Sequence, residues 1–320
     1  MSNFSSLSLS ECVERLLTVK NPAVAFHIRP DGDSVGSATA LCEIFRELSE
    51  DAVYIVADEI PERLKFLTEG IERGLQGSGR TVVSVDSASP SQLGDLYATD
   101  LPILSIDHHA KNTPYCDNYT LADASSAGEV LFEVAKELVR LGKIKMTKRI
   151  AERLYAAIAS DTGGFIFANT SEKTYKAASE LLSVGIDHAD INRRLFNSKS
   201  MDQLKAEGYI ASNIKTAADG KIAYATLSRS DRESIGLPFS AFETAIDILR
   251  SLLGCEIAFI IKETDSGEFK ASIRSVGQNV AEVAARHNGG GHIRAAGCTI
   301  DCASMTDAEK ILVGELSAII

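Results

Sequence analysis

Three separate apolar runs in this chain end in the same way, and that repeated ending constrains the fold more than any other feature. Ala23–Ile28 carries His27 and opens into Arg29-Pro30-Asp31-Gly32-Asp33; Thr81-Val-Val-Ser-Val85 ends in Asp86; Ile103–Ile106 ends in Asp107-His108-His109. Each run is short and rich in apolar residues, as expected of a buried strand closed by a turn. Open parallel sheets bind ligands beyond the carboxyl ends of their strands. Carboxylates and imidazoles delivered repeatedly to that edge therefore predict a metal-loaded cleft.

The intervening segments supply the crossovers such a sheet needs. Apolar residues at helical spacing predict a helix over 8–19 capped by a serine, and another over Ser34–Leu48 whose N-terminus can favour an anion. Val53–Ala57 reads as a strand, Pro61–Leu67 as a short helix, and the glycine-rich 69–80 stretch as a loop, since no Gly-Lys-Ser/Thr ending marks a phosphate cradle. Helices are expected after Glu129 to about Leu141, from Thr147 to about Ala159, and over Thr170–Val184, His188–Leu195 and Ser200–Thr216. The polar stretch around Arg193–Gln203 marks a domain boundary. Beyond it the rhythm changes: a strand over Lys221–Ser228, a helix over Phe239–Leu253, a hairpin of Glu256–Glu263 with Glu268–Arg274, a helix over Val280–Arg286, and Asn288-Gly-Gly-Gly-His292. Three consecutive glycines there permit close backbone approach to a ligand. Ala295–Ile300 and a helix from Met305 follow.

The residues at the strand ends are His27, Asp31, Asp33, Asp86, Asp107 and His108, joined later by Asp161 before Thr-Gly-Gly. Unpaired carboxylates gathered in one cleft repel and take up protons, whereas divalent cations keep them ionised. An oxygen-rich set assisted by imidazole suits manganese or magnesium better than a thiolate-favouring structural zinc. Two ions sharing one carboxylate can lower the pKa of a water and clamp the oxygens of a phosphoryl group, which points to phosphoester hydrolysis. Each residue alone has an ordinary explanation: a satisfied histidine, a turn aspartate, a helix cap. Independent turn residues have no reason to recur at the ends of buried strands with histidines among them.

Charge and composition remove other classes. The net charge of −11 repels long polyanions, so no broad duplex-binding face is expected, while a short anionic substrate stays admissible. No apolar run approaches the roughly 20 residues that span a bilayer, and the start lacks a secretory signal, so no membrane partner and a cytoplasmic location are expected. The six cysteines form no C-x-x-C pair and read as reduced packing residues.

Several spaced motifs in order carry a family resemblance over nearly the whole chain. His27-Ile-Arg-Pro-Asp31-Gly-Asp33-Ser-Val-Gly-Ser37, Val83-Ser-Val-Asp86 and Asp107-His108-His109, followed by Ser125-Ser126-Ala-Gly-Glu129 and Ser160-Asp161-Thr-Gly-Gly-Phe165, resemble the motifs of the DHH phosphoesterase superfamily. Ala271-Ser-Ile-Arg274-Ser275 and Gly289-Gly-Gly-His292-Ile-Arg294-Ala-Ala-Gly297 resemble the DHHA1 substrate-binding motif. Within that superfamily the sequence is most similar to the bifunctional oligoribonucleases (nanoRNases) that also act as phosphoadenosine phosphate phosphatases. The resemblance implies an α/β fold: a parallel-sheet DHH catalytic domain with flanking helices over 1–192, a helical linker over 193–217, and a smaller α/β DHHA1 domain over 218–320. It implies two Mn2+ ions, with Mg2+ or another divalent ion as substitutes. His27, Asp31 and Asp86 would hold one; Asp33, Asp86, His108 and Asp161 would hold the other, with Asp86 bridging. His109, Arg274, Ser275, Gly290, Gly291, His292 and Arg294 would face substrate, Asp86, His108 and His109 would be catalytic, and Asp107 would orient His108 or nearby backbone. Arg29 and Gln92 stand where the family pattern commonly has asparagine and arginine, so contacts near those loops are expected to differ. The expected reaction is hydrolysis of short single-stranded oligoribonucleotides to mononucleotides, and of 3′-phosphoadenosine 5′-phosphate to AMP. Cleavage of cyclic or linear dinucleotides is the alternative, binding without turnover a second, and a homodimer is left open.

Overall fold

The computed structural model describes residues 4–320, which form two compact units divided between Ser198 and Lys199. In the first unit the order is α1 (Leu9–Thr18), β1 (Pro22–Ala25), α2 (Gly32–Glu47), β2 (Val53–Ile55), a 3-10 turn over Glu62–Thr68, β3 (Thr81–Val85), α3 (Leu96–Thr99), β4 (Leu104–Asp107), β5 (Asp117–Thr120), α4 (Ala127–Arg140), α5 (Lys148–Asp161), α6 (Glu172–Ser183) and α7 (His188–Phe196). The five strands form one parallel sheet in the order β2-β1-β3-β4-β5. The chain leaves β1 for β2 on one side and returns to β3 on the other, so the switch in direction lies between β1 and β3, where such sheets bind ligands.

Both faces of this sheet are covered, which is why its strands read as continuous apolar runs rather than alternating ones. Val24, Phe26, Val83, Val85, Leu104 and Ile106 pack with α1, α2, α4 and α5 in the main core. Ala23, Ala25, Val53, Ile55 and Val82 face the other way, onto Leu93, Leu96 and Tyr115. β5 was not foreseen: Asp117-Asn-Tyr-Thr is short and polar, and only Tyr119 of its residues is buried.

The second unit contains α8 (Met201–Ser212), β6 (Lys215–Ala217), β7 (Ile222–Leu227), α9 (Arg229–Ile235), a 3-10 turn over Phe239–Phe242, α10 (Ile246–Arg250), β8 (Ile257–Glu263), β9 (Phe269–Ser275), α11 (Val280–Arg286), β10 (Gly290–His292), β11 (Ala295–Ile300) and α12 (Met305–Ser317). Its mixed sheet runs β10-β11-β9-β8-β7-β6, with β7 and β8 parallel and the other pairs antiparallel. One face packs on α11 and α12 through Ile257, Phe259, Ile273, Val283 and Leu312. On the other, Ala225, Ala258 and Ile260 are covered by Ile210 of α8 and Phe242, Ile246 and Leu249 around α10. The segment expected to link the domains thus holds α8, which buries Ala206 and Ile210 in this core, and β6. The helix expected over Phe239–Leu253 is two pieces, a 3-10 turn and the short α10. Two glycines of the Gly289–Gly291 run lie in a strand, β10.

Candidate metal centre

The aspartates that turn reasoning would explain away do both jobs. Asp31 is the N-cap of α2: its Oδ1 accepts the Ser34 N–H at 2.9 Å, and Ser34 Oγ accepts the Asp31 N–H in return. The helix therefore starts two residues before Ser34, the expected first residue, because Asp31 caps it and Ser34 closes the capping box from inside. The remaining carboxylate oxygen of Asp31, Oδ2, lies 3.5 Å from His27 Nε2. His27 Nδ1 sits 2.7 Å from the Ile28 carbonyl, which can only accept, so the hydrogen is on Nδ1 and the Nε2 lone pair faces Asp31 and Asp86.

Asp86 follows β3 in a left-handed conformation, φ 51°, which a non-glycine residue adopts only where its surroundings hold it. The hold is an Asp86 N–H bond to the Ile106 carbonyl of the neighbouring strand. Its Oδ2 lies 3.4 Å from His27 Nε2 and its Oδ1 3.5 Å from His108 Nε2, so this one carboxylate stands between the two imidazoles. His108 Nε2 also lies 3.8 Å from Asp33 Oδ2 and 3.7 Å from Asp161 Oδ2. These separations exceed hydrogen-bond length. The donor atoms converge without satisfying one another.

Asp33 and Asp161 reach this point through helix packing. Asp33 is buried; Ala127 and Gly128, the first two residues of α4, donate their N–H groups to it at 2.7 and 2.9 Å, and Ser37 Oγ donates at 3.0 Å. Those N–H groups have no partner inside the helix, so the carboxylate satisfies donors that would otherwise be orphaned. Gly128 is required for the approach: a Cβ there would meet the Ala157 Cβ of α5 at 2.5 Å. The close seam carries Asp161, the last residue of α5, to His108. Behind, the buried Glu129 accepts from Ser125 Oγ and Thr174 Oγ1 and fixes the loop before α4.

Asp107 stands apart from these two groups. Its Oδ1 accepts the His108 N–H and faces His109 Nδ1, each at 2.8 Å, while its Oδ2 is buried with no hydrogen-bond partner among the described residues. It orients the ring of His109 and the backbone of His108, not the His108 ring. Gln92, one of the two departures from the family pattern, ties loops together: its carbonyl accepts from Ile28 N–H and its side chain from Ala88 N–H. Arg29 takes a left-handed φ of 59° and donates its N–H to Asp58.

Without cations the charges in this cluster are frustrated. Burial, reinforced by Asp86 and Asp161, pushes the Asp33 carboxyl well above its usual range. Burial pushes Asp161 up to about 7, with Asp86 adding to it and His108 opposing. Burial works against Asp86 as well, but His108 and His27 outweigh it and hold that carboxyl low. Burial would lower the histidines, yet the facing carboxylates push His27 up to about 11 and His108 up to about 10. Two sets of donor atoms, His27–Asp31–Asp86 and Asp33–His108–Asp161, each lie within 4.8 Å of one another, and a third joins Asp86 to Asp107, His108 and His109. Oxygen-rich, imidazole-assisted and crowded with like charge, the cluster fits hard divalent cations.

In the second unit, residues paired across the strands point to the same face. His292 is opposite Ala295, which is opposite Arg274; Gly290 is opposite Gly297, which is opposite Ser272. Arg274, His292 and Gly290 therefore share one face. Gly291 has φ 138°, and a Cβ on it would meet the Ala295 carbonyl oxygen at 2.4 Å, so β11 demands that glycine, whereas Gly290 has open space. Ser275 falls on the opposite face and its hydroxyl donates to the Gln278 carbonyl, away from Arg274. Arg294 lies in the exposed turn between β10 and β11, its carbonyl accepting from Ser275 N–H. Sequence reasoning passed over Lys262, a buried lysine on β8; the signal was a lysine at the end of an apolar strand facing Lys270 across the expected hairpin.

The family model for the DHH family N-terminal domain matches residues 22–158, and that for the DHHA1 domain matches residues 219–316. A bifunctional oligoribonuclease and PAP phosphatase NrnA from Bacillus subtilis is 31% identical over 291 residues, 89% of this chain and 90% of that protein. This chain belongs to the DHH family. The NrnA of Thermus thermophilus is also 31% identical, over 93% of this chain and 90% of that protein. The cyclic-di-AMP phosphodiesterase PdeA of Listeria monocytogenes is 25% identical over 97% of this chain, which spans 49% of that longer relative. The crystal structure of an exopolyphosphatase-related protein from Bacteroides fragilis has a TM-score of 0.88 at 24% identity, covering 97% of this chain and 96% of that one, so this DHH fold is shared across both units. No helix among the described residues is long and apolar enough to cross a membrane.

Proposed function

We propose that this DHH protein is a phosphoesterase that hydrolyses short oligoribonucleotides to mononucleotides and removes the 3′-phosphate of 3′-phosphoadenosine 5′-phosphate, with two Mn2+ ions as its resident metals. The observation that carries the reading is Asp86, a single buried carboxylate with one oxygen toward His27 and the other toward His108. Relatives similar over about nine-tenths of their length and named for these two activities support it. His27, Asp31 and Asp86 would hold one ion, and Asp33, Asp86, His108 and Asp161 the other. When bound, the ions would supply an activated water and charge to stabilise the phosphoryl oxygens.

The protein's own groups prepare that chemistry. The Ile28 carbonyl selects the His27 tautomer with a free Nε2. The first turn of α4 and Ser37 fix the Asp33 carboxylate in one orientation. Asp107 orients the His109 ring through Nδ1 and favours its protonated form, in which the Nε2–H would donate to a phosphate oxygen. Arg274, His292 and Gly290 on the second sheet would hold a phosphate that is not cleaved, which limits substrate length. Cyclic-dinucleotide cleavage is the second reading, favoured by the similarity to PdeA over almost the whole of this chain.

Product chromatography over di- to decaribonucleotides, cyclic di-AMP and 3′-phosphoadenosine 5′-phosphate, with Mn2+ or Mg2+, tests the proposal. Mononucleotides from the shortest RNAs, and AMP, are the expected products. Cleavage of cyclic di-AMP alone would install the second reading, and saturable binding with no product would make the protein a nucleotide sensor.

A further inference from the structure

Tyr115 is buried against β3 and β4, on the face of the parallel sheet away from the main core. Its ring meets the Tyr97 ring edge-on at 5.7 Å, so packing fixes it without help from the hydroxyl. A phenylalanine would fill the same space. The hydroxyl nevertheless uses its whole hydrogen-bonding capacity. It donates to the Ser87 carbonyl at 3.0 Å, and because it has a single proton, Ser84 Oγ at 2.9 Å and Ser105 Oγ at 3.3 Å donate to its oxygen. Those serines stand two residues before Asp86 and Asp107 on neighbouring strands, and Ser87 directly follows Asp86. The Asp86 backbone is therefore held on both sides: its own N–H bonds the Ile106 carbonyl at 3.0 Å, and the carbonyl of the following residue accepts from Tyr115. Thr113, two residues before Tyr115, donates its N–H to the Ala88 carbonyl at 2.7 Å and extends the hold by one residue. Between these anchors Asp86 takes its left-handed φ of 51°, which persists only where the surroundings over-determine it.

We propose that Tyr115 is a positioning residue for the metal centre: by tying down Ser87, its hydroxyl holds Asp86 in the left-handed conformation that spreads the two carboxylate oxygens toward His27 and His108. Those oxygens lie 3.4 Å from His27 Nε2 and 3.5 Å from His108 Nε2. Side-chain direction follows the backbone, so relaxation of Asp86 into an ordinary α or β conformation would swing the carboxylate away from at least one imidazole. The effect passes through the backbone, since the partners of the hydroxyl are Ser84, Ser87 and Ser105 and none of them is a proposed ligand. A buried hydroxyl that packing does not need is costly unless it is satisfied, and here its one proton is spent beside the carboxylate on which both ions depend. The inference rests on the reading of Asp86 as the carboxylate shared by two ions.

Calorimetric titration of the metal-stripped full-length protein with Mn2+ alone is the test. Wild type is expected to take up two ions, and Tyr115→Phe, which removes only the oxygen, to bind them about ten- to hundredfold more weakly. Ser84→Ala removes a donor to the same hydroxyl but leaves the Ser87 bond in place, so its Mn2+ affinity should stay close to that of wild type. Unchanged affinity in a folded Tyr115→Phe variant overturns the proposal, and so does an equal loss in Ser84→Ala, which would mark a general loosening of the sheet. Wild type that binds no Mn2+ would overturn the metal reading itself, and this inference with it. Coupling is reciprocal, so whatever the hydroxyl adds to metal binding, bound metal must add to the bond of the hydroxyl. NMR on wild type saturated with diamagnetic Mg2+ should therefore show the Tyr115 hydroxyl proton exchanging about ten- to hundredfold more slowly than in metal-free protein. Equal exchange rates reject the positioning role, and that comparison decides even if Tyr115→Phe fails to fold.

Discussion

The two sheets gather opposite charges by different means. The parallel sheet collects acid and imidazole beyond the ends of its strands, so residues as far apart in sequence as His27 and Asp161 meet around Asp86 and His108. The mixed sheet collects Arg274, Lys262 and His292 across one face, through pairing between neighbouring strands. The first arrangement is crowded, buried and rigidly backed by the α4 N-terminus. The second is partly covered, with Lys262 buried, Arg274 half-buried and Gly290 leaving room above the strand. Crowded donors suit an ion that must be held in fixed geometry; cations spread along a sheet face suit a group that arrives with substrate and leaves with product.

If that division holds, truncation on the two sheets should affect different kinetic constants. His108→Ala removes a side chain that faces Asp33, Asp86 and Asp161 together, and should lower kcat by at least about a thousandfold. Arg274→Ala should instead raise KM by about ten- to hundredfold with a much smaller change in kcat, the pattern of a lost binding contact. Steady-state kinetics on a dinucleotide, with circular dichroism to confirm folding, separates the cases. A kcat loss in Arg274→Ala as large as that in His108→Ala would merge the two regions into one catalytic unit.

The next effect belongs to the carboxylate cluster alone. In metal-free protein His27 is pushed up to about 11, His108 up to about 10 and Asp161 up to about 7, each above its unfolded value. Groups raised on folding stabilise fully below their unfolded pKa, and that contribution is lost as pH climbs through the folded one. For Asp161 the loss spans roughly pH 4 to 7, and for the histidines roughly pH 6.5 to 11. Cations take the place of those protons, so metal stabilises more as pH rises. The gap in unfolding free energy between metal-loaded and chelator-treated protein should widen from about pH 6 to about pH 9, by up to roughly 1.4 kcal/mol per pH unit for each proton displaced. Denaturant melts at several pH values measure it. A gap independent of pH would mean that metal displaces no protons here.

What could be read beforehand follows the same contrast. The clustered carboxylates and imidazoles were legible because a parallel sheet puts every carboxyl end on one edge: a polar residue after an apolar run already carries its address. Asp107 was expected to orient His108 or nearby backbone; it accepts the His108 N–H, and the ring it faces is that of His109. The cationic face was less so. Ser275 beside Arg274 looks equivalent in a motif, but adjacent strand residues point to opposite faces, and only the register shows that Ser275 turns to Gln278. Lys262 needed that register too. β5 and β6 were missed because three or four polar residues carry no periodicity, and the 239–253 segment read as one helix because apolar spacing does not reveal where a helix breaks.

Glycine substitution gives the smallest and sharpest separation of the two regions. Gly128→Ala forces a methyl group to within 2.5 Å of Ala157 Cβ, at the helix start whose N–H groups hold Asp33. Overpacking of that kind costs about 1–3 kcal/mol, and it should appear as a lower urea midpoint with an unchanged slope. Activity should fall with it, since displacing α4 displaces two of the hydrogen bonds that orient Asp33. Gly290→Ala meets nothing within 4 Å and has no positive φ to protect, so the urea midpoint should move by no more than about 0.5 kcal/mol equivalent. Its methyl group nonetheless projects onto the face shared by Ser272 and Arg274. A rise in KM at unchanged stability would show that the space above Gly290 is kept for substrate, because the fold itself leaves it free. If Gly290→Ala left KM untouched, that open space would lie outside the path of the substrate, and the binding face would have to be drawn around Arg274 and His292 alone.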